Sequence, residues 1–356
     1  MAFPDTPLTR LVGVRYPIVA APMAGGTSTV DLAAAVSEAG GVGSLGLAYT
    51  EPGVMREAIA AVRARTGKPF NVNLFVLEPP PPADLAAASA LLDPFREELG
   101  LPTPELPQRP AYTLEDTYEL VLETRPPVFS FTFGLAPPDL VRDLREHGTR
   151  VFGTATTVSE ARALETLGVD AVVAQGAEAG GHRGTFAGDF DAGLIGGLAL
   201  LPQVVDAVSL PVVAAGGIMD GRGIAAALAL GAAGVQLGTA FLPAPESGAH
   251  ELHKRAILVG TEESTVVTPA FTGRHARGFR NRLATELELR RDRLAPFPVQ
   301  AAVAADVREE ATRRGETELM TMLAGQGLRL ARALPAGELV ETLVRETEET
   351  LARLAG

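Results

Sequence analysis

The chain has 356 residues, of which 46% are hydrophobic, 21% charged and 5% aromatic, with 38 glycines, 27 prolines and no cysteine or tryptophan. That balance excludes a disordered or fibrous chain. The missing cysteines exclude a disulfide framework, a thiolate nucleophile and a cysteine-ligated metal. A formal net charge of −12 argues against nucleic acid or an anionic membrane surface as partner.

From the first residues onward, Met1 to Arg10 lacks the cationic-then-apolar pattern of a secretory signal, so a cytoplasmic setting is expected. Short apolar runs then alternate with amphipathic or Ala-rich segments. Strands are predicted at Ile18–Pro22, Val42–Leu47, Phe70–Phe75, Val128–Phe133, Arg150–Ala155, Ala171–Gln175, Pro211–Ala215 and Val235–Phe241. Runs without polar alternation suit parallel strands covered on both faces. Helices are predicted between them at Thr29–Glu38, Pro52–Thr66, Pro137–His147, Val158–Leu167, Leu198–Val208 and Gly221–Leu230. This rhythm predicts an α/β fold, a (β/α)8 TIM barrel, with a doubly wound open sheet as the alternative.

Two insertions break the rhythm. Pro79 to Pro82 opens the first, followed by a predicted helix at Ala83–Leu99, a proline-spaced loop to Pro110 and a helix at Leu114–Glu123. The second starts near Ser247, is rich in Arg and Glu, and holds a candidate strand at Val266–Phe271. The expected division is a barrel over 1–246 with the insertion 77–126, a small, mostly helical cap over 247–335, and a C-terminal helix over 336–356 packing back on the barrel. Ile224 to Pro245 carries no charge over a membrane-span length. Its glycines, Gln236 and Pro243 instead suit helix, turn and strand.

In a barrel, ligands gather at the C-terminal ends of the strands. The seventh run ends in Gly216 and Gly217 and the eighth in Gln236, Leu237, Gly238 and Thr239. Such turns let backbone amides approach a phosphate. Gly41–Gly46 matches G-x-G-x-x-G but follows a helix, so the dinucleotide reading is rejected. The sixth run leads into Gln175-Gly176-Ala177-Glu178-Ala179-Gly180-Gly181-His182-Arg183-Gly184. His182 there is the candidate catalytic group, because imidazole suits proton transfer near neutrality. His147 reads as a helix end, His250 and His253 lack a third metal ligand, and His275 reads as a solvated loop residue. No metal site is expected. Asn73, Gln175 and Gln236 are amides at strand ends, and a heterocycle with mixed donors and acceptors would satisfy them. Lys68 and Lys254, the only lysines, leave few candidates for a Schiff base.

Taken in order, AAPMAGGTST (20–29), NVNLF (71–75), QGAEAGGHRGTF (175–186), AAGGIMDGRGIAAALALGA (214–232), GVQLGTAFL (234–242) and TGRHARGFRNR (272–282) resemble the nitronate monooxygenase family, formerly 2-nitropropane dioxygenase, and its bacterial class I. The resemblance implies an FMN barrel that oxidises alkyl nitronates, such as propionate 3-nitronate, with O2 to a carbonyl compound and nitrite. It implies FMN contacts from Met23, Asn73, Gln175, Gly180, Gly181, Gly216, Gly217 and Gln236–Thr239. His182 would bind the anionic nitronate, aided by Arg183, or act as base toward a neutral nitroalkane. The alternative is an NAD(P)H-dependent reductase of the same barrel type, acting on enoyl-acyl carrier protein or quinone. No nucleic-acid or membrane partner is expected, and a homodimer is the assembly to look for.

Overall fold

The computed structural model describes residues 3–77, 81–105 and 114–356. Eight parallel strands run in the ladder order β1 (Ile18–Ala20), β9 (Gly234–Leu237), β8 (Val212–Ala215), β6 (Ala171–Gln175), β5 (Arg150–Ala155), β4 (Val128–Thr132), β3 (Phe70–Phe75) and β2 (Gly43–Gly46). The two ends meet through a parallel bridge between Val19 and Val42. There Ala20 N donates to Val42 O and Val42 N to Ile18 O, both at 2.9 Å. The barrel is closed, not an open sheet. Strand residues such as Val72, Phe129, Phe131, Val151, Val172 and Val235 are fully buried, which is why these runs lack alternation.

Helices α1 (Pro7–Val12), α2 (Val30–Glu38), α3 (Pro52–Arg65), α4 (Leu85–Ala90), α5 (Asp93–Leu99), α6 (Leu114–Thr124), α7 (Pro138–Glu146), α8 (Val158–Leu167), α9 (Gly197–Ala207) and α10 (Gly221–Ala229) precede or separate these strands in the chain. Thr29, Thr157 and Asp220 cap α2, α8 and α10, each accepting a backbone N–H of the first turn. Such caps start a helix directly after a strand-end loop. The expected single helix over Ala83–Leu99 is two, because Pro94 belongs to the first turn of α5 and a proline is tolerated there but not mid-helix. The expected loop to Pro110 lies outside the described residues from 106 onward, as do Pro79 and Pro80. The eighth run stops as a strand at Leu237, and Thr239–Phe241 turns as a 3-10 helix.

Beyond the barrel come α11 (Glu251–Val259), α12 (Arg282–Glu288), α13 (Val299–Val303), α14 (Ala305–Arg314) and α15 (Ala336–Ala355). The Val266–Phe271 strand is found at β10 (Thr265–Thr268), which pairs antiparallel with β11 (Ala276–Phe279). β11 in turn pairs with β7 (Gly181–His182). Helices α4 and α5 share one apolar cluster with this region, in which Leu92, Phe95 and Leu99 join Phe271, Leu283 and Val307. The insertion after β3 therefore builds the cap core. Helix α15 lies against α10 and α2, with Gly221 N donating to Glu346 Oε2 at 3.1 Å.

Candidate active site

The loop after β6 is held from inside by two residues. Gln175 Nε2 donates to the His182 carbonyl at 3.0 Å, and Gln175 Oε1 accepts Gly184 N at 2.8 Å. Arg183 is 1% exposed and donates to the carbonyls of Gln175, Gly176 and Gly193 at 3.1, 2.6 and 3.0 Å. Arg183 is thus a brace for the loop and does not face a substrate, contrary to the expectation from sequence. Three backbone carbonyls, two of them buried, in reach of one planar fork explain its inward turn. Gly180 is backed by the cap: a Cβ there would lie 2.5 Å from Ala324 C.

His182 itself projects into an aromatic enclosure. Its ring centroid lies 6.1 Å from Phe75, 5.7 Å from Phe133 and 5.5 Å from Phe297. Nε2 is 2.8 Å from the Thr272 hydroxyl, and Nδ1 has no hydrogen-bond partner among the described residues. Burial, then the charges of Arg274 and Arg308, push the imidazole pKa down to about 3. The ring is therefore neutral near pH 7 and is not the cationic element. The positive charges acting on it are those of Arg274 and Arg308. Arg274 sits 3.9 Å above the Phe133 ring, donates through Nε to Arg183 O at 3.3 Å and also contacts Thr185 O. Phe133 carries φ +84°, a conformation that costs a bulky side chain on the order of 1–3 kcal/mol. Strain of that kind at the end of β4 aims the ring at His182.

The resemblance-implied cofactor residues line the same barrel end. Gly216 and Gly217 adopt φ +109° and +71°, which only glycine takes without strain. Neither N–H is taken by an acceptor among the described residues. The Thr239 hydroxyl accepts Gly325 N at 2.9 Å, while Gly238 faces Ala21 and Met23 Sδ. Asn73 Nδ2 donates to Ser130 at 2.9 Å, leaving its Oδ1 and the Gln236 amide unengaged among the described residues. Gln175 retains one N–H. Leu237 is buried and contributes backbone, its carbonyl accepting Ala21 N at 2.8 Å. Free paired amides suit a phosphate, and free amide edges suit a polar ring. The donor set thus fits a phosphorylated flavin.

Several residues escaped the sequence reading. Thr272 and Arg274 belong to the quoted TGRHAR stretch, yet nothing local showed that β11 would dock them beside His182. The Ala324–Gly327 stretch has the small-residue signal of a close approach: Gln326 N donates to Glu178 O at 3.0 Å. His275 is half-buried and stacks on Phe190 with centroids 3.5 Å apart, so it is not a solvated loop residue. His147, His250 and His253 occupy helix-end or backbone-bonded positions.

A family model described as nitronate monooxygenase matches residues 5–346. The chain belongs to the nitronate monooxygenase family. A probable nitronate monooxygenase from Staphylococcus saprophyticus is 40% identical over 353 residues, covering 98% of this chain and 99% of that protein. Among solved structures, a nitroalkane oxidase from Streptomyces ansochromogenes superposes with a TM-score of 0.90 at 43% identity, covering 98% of this chain and 99% of that one. FabK from Thermotoga maritima superposes with a TM-score of 0.79 at 33% identity, covering 99% and 98%. Nitronate monooxygenases are flavin-dependent oxidoreductases, and this chain is an enzyme of that kind. Among the described residues, no helix is long and apolar enough to cross a membrane.

Proposed function

We propose that the protein oxidises alkyl nitronates with O2, releasing nitrite and a carbonyl compound, with FMN as its flavin and His182 as the catalytic residue. The observation that carries this reading is His182 held by Thr272, neutral, in an aromatic enclosure with two guanidinium groups. A bound FMN would supply the electron acceptor and the partner for O2. Its phosphate would take the Gly216, Gly217, Gly238 and Thr239 turns, and its ring edges Asn73, Gln175 and Gln236. Met23, Leu237, Gly180 and Gly181 would line its path.

Within that arrangement the chain binds an anion without a cationic histidine. Neutral His182 presents Nδ1 to the substrate, as donor or acceptor according to the tautomer set at Nε2. When the Thr272 hydroxyl donates to Nε2, Nδ1 carries the proton and donates to a nitronate oxygen. When Nε2 carries it, Nδ1 is the acceptor that a neutral nitroalkane requires. Phe75, Phe133 and Phe297 exclude water, which strengthens each of these contacts.

The test is nitrite release from propionate 3-nitronate in air by the FMN-loaded protein. Activity is expected, and His182→Asn is expected to abolish nitroalkane turnover; no nitrite from the wild type refutes the proposal. The likeness to FabK keeps one competitor. Rapid bleaching of the flavin by NADH without air would favour the reductase reading. We further place the enzyme in the cytoplasm, with the barrel (1–246) as the flavin-holding unit and 247–335 as its cover. Sedimentation tests for a homodimer.

A further inference from the structure

The third strand carries two amides on its inner face, where barrel interiors are ordinarily filled by branched apolar side chains. Phe70, Val72 and Leu74 of β3 belong to one apolar cluster with Met55, Ile59 and Leu120 of the surrounding helices. Side chains alternate along a strand, so Asn71 and Asn73 point into the barrel. The parallel register sets Asn71 opposite Ser44 of β2 and Asn73 opposite Ser130 of β4. All four side chains are buried. Asn71 Nδ2 donates to Ser44 Oγ at 3.1 Å and to Ser130 Oγ at 2.9 Å, and Asn73 Nδ2 donates to Ser130 Oγ at 2.9 Å.

The Ser130 hydroxyl is the junction. Its oxygen has two lone pairs, and an amide N–H takes each. Asn71 is sealed at its other end, where Oδ1 is buried with no hydrogen-bond partner among the described residues. An unpaired buried oxygen is destabilising, so stability alone does not account for the cluster. Asn73 differs at that end. Its Oδ1 also lacks a partner among the described residues, but it is not enclosed.

A side-chain amide has a donor end and an acceptor end of nearly the same shape, so its hydrogen bonds decide which end faces the mouth. The oxidised isoalloxazine ring has one N–H, at N3, among several acceptor atoms. A side-chain acceptor turned toward the ring therefore has one partner there, and the other end of the same amide would miss it. We propose that Ser130 is a positioning residue for the flavin: by accepting one Asn73 N–H it keeps Nδ2 inward and turns Oδ1 toward the mouth, where it accepts the ring N–H. Ser130 acts through Asn73 and not on the flavin itself. The proposal rests on the flavin reading above and names the residue that sets the polarity of one of its contacts.

The experiment measures the Kd for FMN from the free flavin that passes an ultrafiltration membrane when the purified holoenzyme is diluted, in a double-variant cycle. Ser130→Ala is expected to raise the Kd roughly 3- to 10-fold, the range for one neutral hydrogen bond. Ser130→Thr, which keeps the hydroxyl, is expected to recover most of that loss. Asn73→Ala weakens FMN binding at least as much, and adding Ser130→Ala to it costs nothing further, because residues in one hydrogen-bond network are not additive. An unchanged Kd in Ser130→Ala overturns the proposal. So does a full further loss in the double variant, which a merely structural role would give. Should Ser130→Ala fail to fold, Asn73→Asp decides. Its outward end stays an oxygen while Ser130 gives its own proton to the inward one, so tighter FMN binding than in Asn73→Ala is expected. Binding no tighter than in Asn73→Ala overturns the acceptor assignment. Wild-type protein that refuses FMN overturns the proposal together with the cofactor reading. FMN binding without nitrite release overturns the nitronate reading alone, and the Ser130 comparison still decides.

Discussion

Acidification tests the central electrostatic argument. The His182 pKa lies near 3 instead of the ordinary 6.5, through burial first and then through Arg274 and Arg308. At about 1.36 kcal/mol per pH unit, protonating this ring in the folded protein costs on the order of 5 kcal/mol more than in the unfolded chain. Below pH 6.5 the unfolded chain binds a proton at this residue that the folded protein refuses. The stability tied to His182 is therefore complete above about 6.5 and is lost progressively as the pH falls toward about 3. The direct assay is an NMR titration of isotopically labelled histidine, with His182→Asn assigning the signal among the five histidines. The His182 ring should show no titration between about pH 5 and 8. In Arg308→Met it should move upward only in part, since burial is the larger cause. A wild-type midpoint within that window would refute the reasoning. Turnover of a preformed nitronate should accordingly show no limb from this group there. Neutral nitroalkanes should be slow substrates, because an imidazole of such low basicity is a weak general base.

Thr272→Val removes the partner of Nε2 while keeping the side chain's shape; losing that bond costs about 1–3 kcal/mol. Nitroalkane turnover should fall roughly 10- to 100-fold with an altered pH profile, and Thr272→Ser should restore it. Equal profiles for wild type and Thr272→Val would dismiss the positioning role. Arg183→Met removes one donor from each of three carbonyls, although Gly176 O and Gly193 O keep Ala179 N and Ile195 N, a change costing about 1–3 kcal/mol. A clear drop in Tm is expected, and wild-type stability in this variant would show that the loop does not depend on the brace.

Most of the barrel was legible because its strands are buried on both faces: Phe70–Phe75, Arg150–Ala155 and Ala171–Gln175 are found at their expected limits. The overextended eighth strand had no such signal, since Ala240 and Phe241 are as apolar in a turn as in a strand. At the site, glycine spacing and a strand-end histidine marked Gly216, Gly217 and His182. Long-range docking marks nothing locally. Thr272 and His182 are brought together by β7–β11 pairing across 90 positions, and Arg183 reads as a surface cation until the carbonyls around it are seen. The charge of Arg308 likewise belongs to an ordinary amphipathic helix until its influence on His182 and Tyr49 is seen.

The short strand β7 deserves a mechanical reading. Because His182 is itself one rung of the ladder to β10 and β11, the roof over the reaction chamber is stitched to the residue it shelters. A hinge that swung this roof aside would either drag the imidazole with it or break the Ala276 and Arg277 rungs. Opening the chamber on this side and keeping the imidazole in place are therefore mutually exclusive unless those rungs part.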